Sequence, residues 1–157
     1  MKIISRTAVL FLLLVSISCS SDDGEKDIEK PRITLNYDDG FPQTCMELGK
    51  GNTYTFRAMV TDNDALASFS IDIHHNFDHH THDDQLAECE HAPIKAPVSP
   101  FVFMESYPIE GNLSSYEITV EITIPEHVDT GDYHCQYSVI DQTGWQSRTS
   151  VDIKIVE

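Results

Sequence analysis

From Pro31 to the C-terminus the chain alternates apolar and polar residues, the mark of strands with one buried face. In "NTYTFRAMVTD" (52–62), Tyr54, Phe56, Ala58 and Val60 fall on one side. In "ALASFSIDIHH" (65–75), Ala67, Phe69, Ile71 and Ile73 do the same. "PRITLN" (31–36), "PFVFMESYPI" (100–109), "SYEITVEITIP" (115–125), "GDYHCQYSVID" (131–141) and "QSRTSVDIKIV" (146–156) complete a set of seven predicted strands. Turn signals separate them, among them Asp39-Gly40, Asp62 to Asp64, Gly111-Asn112 and Thr143-Gly144. No segment carries a helical period. Seven short alternating strands predict an all-β, antiparallel β-sandwich.

Ahead of the strands the pattern changes twice. Lys2 and Arg6 precede the apolar run "AVLFLLLV", which is too short for a membrane span and is followed by small residues and Cys19. This reads as an export signal over 1–18. The cysteine resembles the acceptor of a bacterial lipoprotein signal, so Cys19 is the expected lipidated N-terminus of the mature chain. Residues 19–30, "CSSDDGEKDIEK", cannot bury enough apolar surface to fold and read as an acidic tether. The folded domain is expected over 31–157, with an outer-membrane location, periplasmic or surface-exposed.

Charge narrows the partners. The formal net charge is −16, and losing Lys2 and Arg6 with the signal moves it to −18. Such a surface repels phosphate backbones and excludes nucleic-acid binding as a function, while attracting cations.

"GDYHCQYSVIDQTGW" (131–145) resembles the tyrosine corner that opens the penultimate strand of immunoglobulin-like domains, with Tyr133 at the corner and Cys135, Tyr137 and Val139 facing the core. The partner cysteine of the immunoglobulin disulfide is missing, since Phe56 and Ala58 occupy the matching strand. Together, "IDIHHNFDHHTH" and "GDYH" resemble a family of immunoglobulin-like lipoproteins of Gram-negative bacteria that has no assigned activity. The resemblance implies fold and location and leaves function to the residues.

In an immunoglobulin-like topology, successive loops alternate between two poles. All eight histidines of the chain then fall at one pole: His74, His75, His79, His80, His82, His91, His127 and His134. The strand phase that buries Ile71 and Ile73 turns His74 outward, and the phase that buries Tyr133 and Cys135 turns His134 outward on the neighbouring strand. His80-Thr81-His82 in extended conformation places two imidazoles on one side of the chain. Zinc, or copper(II), bound by His74, His80, His82 and His134 is the expected chemistry, with His75 and His79 as alternates and Asp78 or Asp83 supporting them. The competing reading is a polar loop whose histidines form pH-dependent ion pairs with carboxylates. That reading suits His91 and His127. Phe77 is expected to anchor the loop.

With Cys19 assigned to lipid, Cys135 reads as a buried thiol, and Cys45 and Cys89 lie at the histidine pole. Pairing them would staple the long 76–99 insertion, worth roughly 3–4 kcal/mol by loop-closure entropy. At the opposite pole Asp62, Asp64 and Asp141 converge, where they could hold Ca²⁺. Aspartates also build tight turns, and the turn reading is preferred. No nucleophile elbow, H-E-x-x-H or phosphate-binding loop occurs, so no enzymatic activity is expected. Two functions remain: an envelope-anchored metal binder, or a non-catalytic immunoglobulin-like module engaging an envelope protein or glycan. Trp145 is the feature that speaks for the second.

Overall fold

A computed structural model describes residues 27–83 and 89–157. The expected signal, Cys19 and most of the tether lie outside the described residues. Among those described, every regular element is a strand: β1 Arg32–Thr34, β2 Met46–Gly49, β3 Thr53–Thr61, β4 Leu66–His75, β5 Phe103–Pro108, β6 Ser115–Thr123, β7 Gly131–Asp141 and β8 Gln146–Val156. They form two sheets, β1-β3-β6 and β2-β8-β7-β4-β5, packed as a sandwich.

Seven of these strands match the alternating segments. The eighth, β2, departs from the expected set and pairs parallel with β8 at the sheet edge. Its four residues, "MELG", are too short to show a period. Leu48 is fully buried, so β2 exists because the core recruits one side chain from it.

Phe56, Ala58, Val60, Ile71, Ile73, Ile118, Ile122, Tyr137, Val139, Val151, Ile153 and Ile155 lose all or nearly all of their surface between the sheets. This is what alternation at period two demands of strands with one apolar face. One register shift, between Leu66 and Ser68, puts Leu66 rather than Ala67 into the core. Tyr133 makes the corner contact: its hydroxyl donates to the Asp129 carbonyl (2.6 Å) and accepts from the Phe101 amide (3.1 Å). The start of the 100–109 strand is thereby tied to the start of β7.

β7 is different in kind. Asp132, His134 and Ser138 are buried on the face away from the core, where alternation alone would leave them wet. Residues 76–83 and 89–99 of the connection between β4 and β5 cover Asp132 and His134, while Ser138 accepts from Gln146 Nε2 (2.6 Å). Asn76 donates its amide to the Asp132 carbonyl (2.8 Å), and Ala92 donates to the Asp132 carboxylate (2.7 Å). Phe77 is 2% exposed and packs edge-on against Tyr133, while Lys95 sits 4.3 Å above its ring. Cys45 and Cys89 are joined by a disulfide that pins this connection to the segment before β2. Cys135 is a free, fully buried thiol.

Candidate metal centre

β4 and β7 pair antiparallel with His74 opposite His134 and His75 opposite Tyr133. Because side chains alternate along a strand, Asp72 and His74 share the outer face of β4. That spacing lets the His74 Nδ1–H donate to Asp72 Oδ1 at 2.9 Å. The same spacing recurs in the loop, where the His80 Nδ1–H donates to Asp78 Oδ1 at 2.7 Å. The His80 ring holds the Asp78 carboxyl below the usual carboxylate range.

A proton held on Nδ1 leaves Nε2 with its lone pair, the form in which imidazole binds metal. Both free Nε2 atoms point at one place. His80 Nε2 lies 3.3 Å from His74 Nε2, and His82 Nε2 lies 3.2 Å from it. Tetrahedral zinc with Zn–N bonds of about 2.0–2.1 Å requires nitrogen–nitrogen separations of about 3.3–3.4 Å. The two separations are close to the edges of such a tetrahedron. With both protons on Nδ1, the His74 and His80 lone pairs converge without a hydrogen between them, an arrangement that a shared cation, metal or proton, would relieve.

Access is open. The His74 and His80 side chains are 25% and 35% exposed, and His82 borders a surface groove of about 540 Å³ with Lys30, Gln136, Gln146 and Arg148 on its other walls. Asp83, the other acidic residue expected to support the ligands, also lines this groove.

The structure brings together three of the four expected ligands. His134 packs edge-on against His74, His80 and His82, with ring centroids 5.6, 4.9 and 4.6 Å away, but its nitrogens are committed elsewhere. Nε2 donates to the His80 carbonyl (3.0 Å), and Nδ1 lies 2.7 Å from Asp152 Oδ1. Burial is the largest influence on this ring and pulls its pKa below the ordinary value, against the His80 carbonyl and Asp152. His134 is therefore the floor beneath the three ligands, fixing the backbone of His80. As placed, it is not grouped with the three as a ligand.

The alternates are placed elsewhere. His75 stacks on Phe77 at 4.9 Å. His79 stacks on His91 at 4.5 Å, and both flank Asp132. These three could also hold a metal. However, His79 Nε2 already donates to the Ala92 carbonyl (2.8 Å), and Asp132 serves the Ala92 amide and Lys154. That group clamps the cover to β7. His127 is exposed in the β6–β7 loop.

Two functional carboxylates escaped sequence reasoning. Asp72 was legible in principle, since Asp72-Ile73-His74 repeats the spacing of Asp78-His79-His80. Asp152 has no such signal, because only the β7–β8 register sets it opposite His134.

Together these features define an all-β sandwich domain with a carboxylate-backed group of three histidines on the outer face of its larger sheet. The chain belongs to the family described as domain of unknown function DUF4625, which matches residues 17–156. A search of curated proteins found no similar sequence.

Proposed function

We propose that this domain reversibly binds one first-row transition ion, zinc or copper(II), through Nε2 of His74, His80 and His82. The observation that carries the reading is the pair of nitrogen–nitrogen separations, 3.2 and 3.3 Å, around lone pairs that Asp72 and Asp78 orient. Structural zinc sites close four protein ligands around the metal, while three ligands leave a position for water or an incoming donor. Three partly exposed histidines suit capture and hand-over better than permanent structural binding.

The envelope is the proposed setting. A lipid on Cys19 would tether the domain through its acidic linker, and the family match, which begins at residue 17, includes that cysteine. The immunoglobulin-like part of the reading draws support from the Tyr133 corner contact. A second reading, an interaction module, is favoured by one observation. Ile94, Val98, Val102 and Met104 are 68%, 88%, 59% and 70% exposed along the segment that leads into edge strand β5.

Calorimetric titration of the chelator-stripped full chain with zinc tests the metal reading. One ion per chain is expected, with saturating zinc raising the melting temperature because only the folded site binds it. The His80→Ala/His82→Ala variant should lose both effects. Equal weak binding by the two proteins, without a thermal shift, would leave the histidines as a polar loop.

A further inference from the structure

At the pole opposite the histidines, β7 ends at Asp141, which pairs with Leu66 at the start of β4. Asp141 Oδ1 does the work of the turn, accepting from Thr143 Oγ1 (2.9 Å), the Gly144 amide (2.7 Å) and the Trp145 amide (2.9 Å). Asp141 Oδ2 does none of it. The residue is 2% exposed, and this oxygen is buried with no hydrogen-bond partner. Asp62, just after β3, adds two more oxygens shielded from solvent. Neither makes an aligned hydrogen bond, although the Asn63 and Asp64 amides lie beside them. Asp27 closes the group from the other side. Its carboxylate accepts from Asn63 Nδ2 (2.8 Å), and it shares the single Thr143 hydroxyl proton, 3.1 Å away, with Asp141 Oδ1.

One oxygen from each of Asp27, Asp62 and Asp141 lies within 4.8 Å of the others. Among the described residues, no Lys, Arg or His forms an ion pair with any of the three. Unpaired carboxylate oxygens are not buried against one another without compensation. Turn formation accounts for Asp141 Oδ1 and not for Asp141 Oδ2 or the Asp62 carboxylate. Asp64, which sequence spacing placed in this group, instead turns its Oδ1 to the Ala65 amide (2.8 Å).

We propose that Asp27, Asp62 and Asp141 form a second cation site, selective for Ca²⁺, that fastens the chain entering the domain to this pole. All available donors are hard carboxylate oxygens, which suits Ca²⁺ and not the ions that histidine nitrogens take. The assignment is independent of the histidine centre. Asp27 belongs to the segment before β1, and its carbonyl also accepts from Trp145 Nε1 (3.1 Å). Calcium there would join the β3–β4 turn, the β7–β8 turn and the incoming segment at one point.

Trp145 is the sole tryptophan of the chain and touches the site, so it reports on it. Terbium added to the full chain in mild detergent, stripped with EGTA, should luminesce on tryptophan excitation. Calcium should displace it in the 10⁻⁴–10⁻³ M range, roughly that of extracellular calcium modules, and equal magnesium should not. Asp62→Asn should weaken calcium binding at least tenfold while leaving zinc binding unchanged. Should Asp62→Asn fail to fold, the half-buried Asp27→Asn variant is held to the same standard. No sensitised emission, no displacement by calcium up to about 10 mM, or wild-type affinity in the folded variant would overturn the assignment.

Discussion

At the scale of single residues, the histidine centre depends on groups that never touch the ion. Asp72 and Asp78 each hold a proton on Nδ1 of a ligand ring and so aim its Nε2 lone pair. Losing such a partner typically costs about 10–100-fold in metal affinity. Asp72→Asn and Asp78→Asn should therefore each weaken zinc binding by about that factor in a calorimetric titration, with melting of the metal-free protein little changed. Full affinity in both variants would show that the carboxylates do not orient the rings. His134 makes a separate prediction. Burial holds its pKa below the ordinary value, so the unfolded chain takes up a proton first as the pH falls. Stability contributed by the neutral ring is present above about pH 6.5 and is lost below it. In chelator, urea midpoints of the wild type should drop between pH 7.5 and 5.5 by more than those of His134→Gln. A wild-type drop equal to or smaller than that of His134→Gln would show that the ring does not stay neutral in the folded protein.

At the scale of elements, the centre exists because one connection lies across the outer face of β7. Gly131 shows how close that approach is. It has φ 128°, and a Cβ built on it would meet Phe77 Cε1 at 3.1 Å. Gly131→Ala would thus strain the backbone and push out the anchor of the cover, costing more than about 1 kcal/mol. Because Phe77 lies between His74 and the His80-Thr81-His82 stretch, the same substitution should weaken zinc binding. Denaturant unfolding and zinc titration on one preparation check both effects. A stability loss with unaltered zinc affinity would separate the anchor from the site. The disulfide is the other restraint. Cys45 precedes β2 and Cys89 closes the cover, so the bond ties the histidine-bearing chain to the parallel edge strand.

At the scale of the whole molecule, two clusters of unlike chemistry sit at opposite ends of the same sandwich. Nitrogen donors gather at one pole and carboxylates at the other. With a formal net charge of −16, the molecule draws cations toward both ends. The proposed lipid on Cys19 adds a surface to which the domain is tethered. Changing Cys19 to Ala should move the protein from the membrane fraction to the soluble periplasmic fraction on cell lysis. Retention in membranes would rule out a lipid anchor at that position.

The strands of the sandwich were legible in the sequence because alternation at period two is a local property. Phe56, Ala58 and Val60, or Ile71 and Ile73, declare a buried face without reference to any other segment. The same phase turned His74 outward, and the H-x-H spacing marked His80 and His82, so three of the proposed ligands could be read from the chain itself. What tertiary structure alone decided depends on contacts between distant segments. "MELG" became a strand because β8 offered an edge and the core offered a place for Leu48. His134 became a buried support because the His80-Thr81-His82 stretch covers it and β8 sets Asp152 opposite. Asp27 replaced Asp64 at the acidic pole because the segment before β1 folds back onto the β7–β8 turn. Periodicity settles which face a side chain takes, and only the packing of remote chain settles what that face meets.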